Sequence, residues 1–175
     1  IMRTYPYIKE MFTICLYGFP NVGKTTLLNK LTGSRAKVAA YAFTTVTINS
    51  GFMTGPEYEI QILDVPGTLS RPDKMNPIEL QAELVRTDLA DIMVYVFDLS
   101  GFSGYEVKEQ EELFQKIKDK DVLVYVSKQD ITAAQLFKGF GHKVFSLEEL
   151  KAEILARYIP RKKEERVDEL MAQRE

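Results

Sequence analysis

The sequence predicts an α/β fold, with helices on both faces of a mostly parallel six-stranded sheet that has one antiparallel strand. Strand-like apolar segments alternate with helical ones along the 175 residues, the pattern of a layered α/β domain. Two of the strands are joined by Thr54-Gly55-Pro56-Glu57, which reads as a hairpin and sets one strand against the rest. Three apolar strands end in motifs rich in Gly, Asp and Lys, and an open α/β sheet binds its ligand at the carboxyl edge of its strands.

The elements follow in chain order. An apolar strand over 12–17 runs into Gly18-Phe19-Pro20-Asn21-Val22-Gly23-Lys24-Thr25, a G-x-x-x-x-G-K-T loop, and a helix over 25–31 leads out of it. Gly18 and Gly23 permit backbone conformations that a side chain would block. The N–H groups of Asn21, Val22, Gly23, Lys24, Thr25 and Thr26 are then expected to face the phosphates of a nucleotide. Lys24 is expected to reach the β- and γ-phosphates and Thr25 to ligate magnesium, with the positive helix end adding to the anion site. This predicts the P-loop NTPase fold of the Ras-like kind. Strands are predicted over 45–53 and 58–63. The second ends in Asp64-Val65-Pro66-Gly67, where Asp64 is expected to hold a magnesium-bound water and Gly67 to offer its N–H to the γ-phosphate. Residues 70–77 combine prolines with polar residues and predict a loop, followed by a helix over 78–89. Further strands are predicted over 92–99, 122–126 and 143–145. Helices are predicted over 107–118, briefly near 133–138, and over 147–158. The strand at 122–126 ends in Ser127-Lys128-Gln129-Asp130. Asp130 can accept from the ring N–H and amine of guanine, and the stem of Lys128 can lie over the base.

One domain accounts for this length, and 45% hydrophobic with 27% charged residues is ordinary for a globular protein. With 23 basic and 25 acidic residues the formal charge is −2, so overall charge gives no argument for nucleic acid. The single cysteine, Cys15, falls in the first strand, which excludes an intramolecular disulfide and fits a reducing, cytoplasmic setting. No membrane span or coiled coil is expected, and a monomer is the default. The first residue is Ile1, and the chain reads as a fragment of a longer protein.

Tyr41-Ala42-Phe43-Thr44-Thr45 lies where small GTPases carry a threonine that closes on magnesium and the γ-phosphate, and Thr45 is expected in that role; adjacent threonines before a strand also suit β-structure through their branching. Together with Leu69-Ser70-Arg71-Pro72, Val96-Phe97-Asp98 and Gly104-Tyr105, these motifs make the chain resemble the GTPase domain of the Nog family, in the Obg-related group of TRAFAC GTPases, from Leu16 to about Ser146. The resemblance implies a slow GTP-hydrolysing switch acting in assembly of the large ribosomal subunit, with the ribosomal particle or its RNA as partner. It also implies a GTPase domain over 1–160, a charged helical tail over 161–175 and an N-terminal helical domain outside this sequence. Catalysis is expected of Lys24, Thr45 and Gly67, and magnesium ligation of Thr25, Thr45 and Asp64.

The chain departs from the family pattern in three places. Ser127 stands where an Asn or Thr opens the base motif, keeping a hydroxyl but losing the amide that can bridge to the P-loop, which bears on affinity more than on base choice. Phe145-Ser146-Leu147 reduces the loop that offers an N–H to guanine, so Ser146 reads equally as a guanine contact and as a helix cap. Thr68 stands where Ras-like enzymes have a water-orienting glutamine, which predicts intrinsic hydrolysis of about 10⁻³ per second or slower. Asn21 either helps hold a potassium ion against the phosphates or only shapes the turn. His142, the only histidine, reads as a surface loop residue. Arg71 and the basic cluster over 157–166 read as solvated, the latter also as a candidate RNA contact. Two other functions stay open: a P-loop phosphotransferase such as a nucleotide kinase, for which no acceptor site or arginine-rich lid is evident, and a nucleotide-dependent binding module with negligible turnover.

Overall fold

The computed structural model describes residues 5–40, 47–64, 89–117 and 122–160. Six strands form one sheet: β1 (Thr13–Tyr17), β2 (Lys37–Ala40), β3 (Thr47–Gly55), β4 (Tyr58–Asp64), β5 (Ile92–Phe97) and β6 (Val122–Val126), in the order β2-β3-β4-β1-β5-β6. β1 pairs parallel with β4 and β5, and β5 pairs parallel with β6. β3 pairs antiparallel with both of its neighbours, so it is the one strand reversed against the other five. Gly55 faces Tyr58 across the hairpin, which reduces the predicted four-residue turn to Pro56-Glu57.

The central strands β1 and β5 are buried at every position, because helices cover both faces and both sides of each strand must be apolar. The register identifies the layers. Gly51, Ile62, Ile14 and Ile92 lie in one row across the sheet. Helix α1 (Lys24–Thr32) rests on that face through Leu27, Leu28 and Leu31. It comes so close that a Cβ on Gly51 would stand 2.7 Å from the Thr32 methyl. Tyr17 and Tyr95 pair three residues further along and therefore point to the opposite face. There helix α2 (Val107–Ile117) packs Phe114 edge-on to Tyr95 at 5.3 Å. Helix α3 (Leu147–Arg157) buries Leu150 and Ile154, and Tyr158 just beyond it meets Phe12 edge-to-face.

The predicted fold class stands, but its six strands are not the six foreseen. The expected strand at 143–145 is a single bridge between Phe145 and Tyr125. The sixth strand is β2, which sequence reasoning missed: Lys37-Val38-Ala39-Ala40 is short, and lysine and alanine are poor strand formers. Backbone pairing with β3 holds it, and Ile8 and Pro6 bond Ala40 on its other side. The strand predicted over 92–99 stops at Phe97, because Asp98 turns its carboxylate into the following loop. The short helix near 133–138 is a 3₁₀ turn, Ala134–Phe137. Thr45, Gly67, Thr68, Arg71, most of the helix predicted over 78–89, and the tail over 161–175 lie outside the described residues.

Candidate functional site

The carboxyl ends of β1, β4, β5 and β6 meet at one edge of the sheet, and the P-loop crosses it. Gly18 has φ +149° and a Cβ there would lie 2.7 Å from the Val96 carbonyl oxygen. Gly23 has φ +106° and a Cβ there would lie 2.9 Å from the Ser127 Cβ. Both glycines are thus demanded by conformation and by space. Gly23 is also the residue that opens α1, and no side chain caps the helix. Among the described residues no side chain accepts from the first-turn N–H groups, the arrangement that suits an anion.

Lys24 is 7% exposed and donates to the Phe19 carbonyl at 3.0 Å, with Asp64 4.0 Å away. Burial pushes its ammonium below the usual lysine range, partly opposed by the Asp64 charge. An anionic phosphate beside it would remove that cost. The Thr25 hydroxyl donates to Asp64 Oδ2 at 2.6 Å, so two of the three expected magnesium ligands already touch. Hard oxygen donors in this number suit magnesium, which is commonly held by one or two carboxylates with substrate phosphates and water. Among the described residues no group of three His, Cys, Asp or Glu could hold a metal by itself. Pro20, Lys24, Val38, Thr47, Ile48, Asn49 and Asp64 line a cleft of about 400 Å³. Thr47 and Asn49 were not foreseen, since nothing in the sequence places β3 beside the P-loop.

On the other side of the first turn of α1 lies a second cavity of about 280 Å³, lined by Gly23, Thr26, Lys30, Tyr125, Ser127, Lys128, Asp130 and Ile131 among others. Asp130 is exposed at its mouth. Ser127, 5% exposed, donates its hydroxyl to the Val22 carbonyl. This corrects the expectation that losing an asparagine here loses the bridge to the P-loop: the hydroxyl makes it. Lys128, at φ +53°, reaches the Asn21 carbonyl at 3.3 Å and the Asp98 carboxylate at 2.8 Å. Asn21 is itself in the left-handed region at φ +64°.

Ser146 and His142 make contacts within the scaffold, and for Ser146 these match the helix-cap reading. Ser146 caps α3 in a capping box: its hydroxyl accepts from Glu149 N–H, and its own N–H donates to the Glu149 carboxylate. These bonds draw the Glu149 carboxyl below its usual range. His142 is not a free surface residue. Its ring packs among Phe97, Phe114 and Phe140, and Nε2 lies 2.8 Å from Glu111. Asp98, fully buried, was quoted in the sequence only as part of a family motif. The one sequence sign of a role was a carboxylate closing an otherwise apolar strand.

Comparison with known proteins agrees with this geometry. The family described as 50S ribosome-binding GTPase matches residues 13–129. An uncharacterized protein of Methanocaldococcus jannaschii is 40% identical over 141 residues, covering 78% of this chain and 39% of that protein. Nucleolar GTP-binding protein 1 of Saccharomyces cerevisiae is 37% identical over 124 residues, 68% of this chain and 19% of that protein. The chain therefore spans between about a fifth and two fifths of these relatives. Among solved structures, the G domain of the T. maritima FeoB iron transporter superposes with a TM-score of 0.65 at 29% identity, over 83% of this chain and 98% of that one. Era in complex with MgGDPNP and nucleotides of 16S ribosomal RNA does so with 0.65 at 25% identity, over 86% and 58%. With its phosphate loop and base motif joined at one sheet edge, the chain belongs to the family of 50S ribosome-binding GTPases, as a GTPase domain of the Nog type.

Proposed function

We propose that this domain is a slow GTP-hydrolysing switch that acts in assembly of the large ribosomal subunit. The observation that carries the nucleotide reading is the junction of the two motifs: Ser127 bonds Val22 and Lys128 bonds Asn21, so base recognition and phosphate binding are built as one unit. In this reading the P-loop N–H groups and Lys24 hold the phosphates, Thr25 and Asp64 hold magnesium, and Asp130 selects guanine over the Lys128 stem. Bound magnesium would neutralise charge on the phosphate oxygens. Thr45 and Gly67 close on the γ-phosphate before hydrolysis and are released after it. Ser146 is the weakest member of the set, since its N–H is already engaged by Glu149.

Slow turnover, about 10⁻³ per second or below, follows from Thr68, whose short side chain cannot orient water as glutamine does. Potassium held through Asn21 would supply part of the missing charge. The ribosomal assignment is supported by the name of the family and by the nucleolar relatives, and rRNA is a partner of the structurally similar Era. A cytoplasmic monomer, with a GTPase domain over 1–160 and a charged tail beyond, completes the proposal. No helix of the described residues is long and apolar enough to cross a membrane.

Competition of GDP, GTP and ATP against a fluorescent guanine nucleotide is the first test, on the wild type and on Asp130→Asn. Guanine nucleotides are expected to win by a large factor, and the variant to shift toward xanthine nucleotides. Equal competition by ATP would end the switch assignment. Phosphate release is then expected to rise with ribosomal particles and to be faster in potassium than in sodium.

A further inference from the structure

Asp98 is not itself in the phosphate site or the base motif, yet its carboxylate accepts four hydrogen bonds. It is fully buried at the end of β5. Its Oδ1 accepts from the Ser100 N–H at 2.8 Å and from the Ser100 hydroxyl at 2.5 Å. Its Oδ2 accepts from the Ser103 N–H at 2.9 Å and from Lys128 Nζ at 2.8 Å. The backbone is clamped as well: Gln110, itself buried, accepts from Asp98 N–H at 2.8 Å and donates to the Asp98 carbonyl at 2.9 Å. Burial works against the charge, but the bonds from Lys128 and Ser100 outweigh it and hold the carboxyl below the usual carboxylate range.

Lys128 gains most from this. A lysine side chain has four rotatable bonds and ordinarily loses much rotamer freedom when fixed. Here its ammonium is pinned at two points, the Asn21 carbonyl and Asp98, while its stem lines the cavity that also holds Asp130. Asn21 supplies only a neutral carbonyl at 3.3 Å, whereas Asp98 supplies a charge at 2.8 Å; charge-assisted bonds are roughly twice as strong. Resting on the guanine-nucleotide reading above, we propose that Asp98 is the positioning residue for Lys128: it holds the lysine stem extended along the base cavity before nucleotide arrives, and so sets guanine-nucleotide affinity without touching the nucleotide.

The carboxylate cannot be replaced by its amide at no cost. Oδ2 faces two donors, Ser103 N–H and Lys128, and a carboxamide there offers either one neutral oxygen or a third donor. The same substitution also loosens the 100–103 loop, so affinity alone does not separate positioning from folding. A double-mutant cycle does. GDP affinity and thermal midpoint are to be measured for the wild type, Asp98→Asn, Lys128→Met and the double variant, with Ser100→Ala as a control that loosens Asp98 on the side away from Lys128.

Asp98→Asn is expected to weaken GDP about tenfold, close to one charge-assisted bond, and to add no further loss once Lys128 is Met. Ser100→Ala is expected to lower the thermal midpoint while leaving affinity within about twofold. If Asp98→Asn does not fold, Asp98→Glu takes its place in the cycle. It keeps the charge one methylene out of position and is expected to weaken GDP in the Lys128 background only. Unchanged affinity in the Asp98 variants, or an equal loss in the Lys128→Met background, would overturn the proposal while leaving the guanine-nucleotide reading intact. Failure of the wild type to bind GDP would overturn both.

Discussion

Lys24 carries an ammonium that is unfavourable where it sits until an anion arrives. Its pKa in the folded chain lies below the ordinary 10.5 because burial outweighs the pull of Asp64. A lysine depressed on folding binds fewer protons in the native state, so the nucleotide-free protein gains stability as pH rises from the depressed value toward 10.5. Below that window the cost is present in full. Lys24→Met is therefore expected to raise the thermal midpoint of the nucleotide-free protein at neutral pH and to flatten its alkaline rise, as followed by circular dichroism. The same change is expected to weaken GDP or GTP roughly 10- to 100-fold, the worth of one charge-assisted hydrogen bond of about 1.5–3 kcal/mol. A variant that is less stable without nucleotide would contradict this account. The lysine's place at the sheet edge was legible from its position after Gly23. The roles of Asp98 and Gln110 were not, since their partners lie 30 and 12 residues away along the chain and no local pattern joins them.

Where elements begin and end, the site and the scaffold use opposite devices. α3 opens with a complete capping box on Ser146 and Glu149, whereas α1 opens on Gly23 with no side-chain cap. Ser146→Ala is expected to cost about 1 kcal/mol of stability, the usual worth of an N-cap, with little change in nucleotide affinity, since alanine keeps the backbone N–H. Gly23→Ala is expected to abolish nucleotide binding, because its φ of +106° is strained for alanine and the new Cβ meets Ser127. Gly139 has a φ of +80° with nothing within 4 Å, so Gly139→Ala should show the conformational strain alone, and thermal midpoints of the pair separate strain from collision. Among the described residues the α-helices were legible to within about a turn because their apolar spacing survives whatever they pack on. β2 was not, because its stability comes from pairing with β3 rather than from Lys37, Ala39 or Ala40. The three residues at 143–145 have strand character but only Phe145 meets a partner, Tyr125.

At the scale of the molecule, the class of the sheet was readable because its central strands are buried on both faces and so are written as unbroken apolar runs. The order of the strands was not, since it depends on which runs meet across long stretches of chain. That order bears on time as well as shape. β3 and β4 close a hairpin through two residues, Pro56 and Glu57, whereas β1 enters the sheet by pairing Ile14 with Ile62 and with Ile92. Closing such loops must precede the contacts that reward it. The phosphate loop hangs from the end of β1 and is shaped by Val96 in β5 and by Ser127 directly after β6, at the last two strands of the sheet in chain order. During folding, then, the hairpin can form early, but the nucleotide site exists only when the sheet is nearly complete. Nucleotide should therefore act as a brake on unfolding and leave the forward rate alone. In stopped-flow denaturant jumps, GDP at a hundred times its Kd is expected to slow unfolding about 100-fold with the refolding limb unchanged. A faster refolding limb would mean that the site is assembled before the barrier. A domain built this way holds its guest longest by making its own undoing rare.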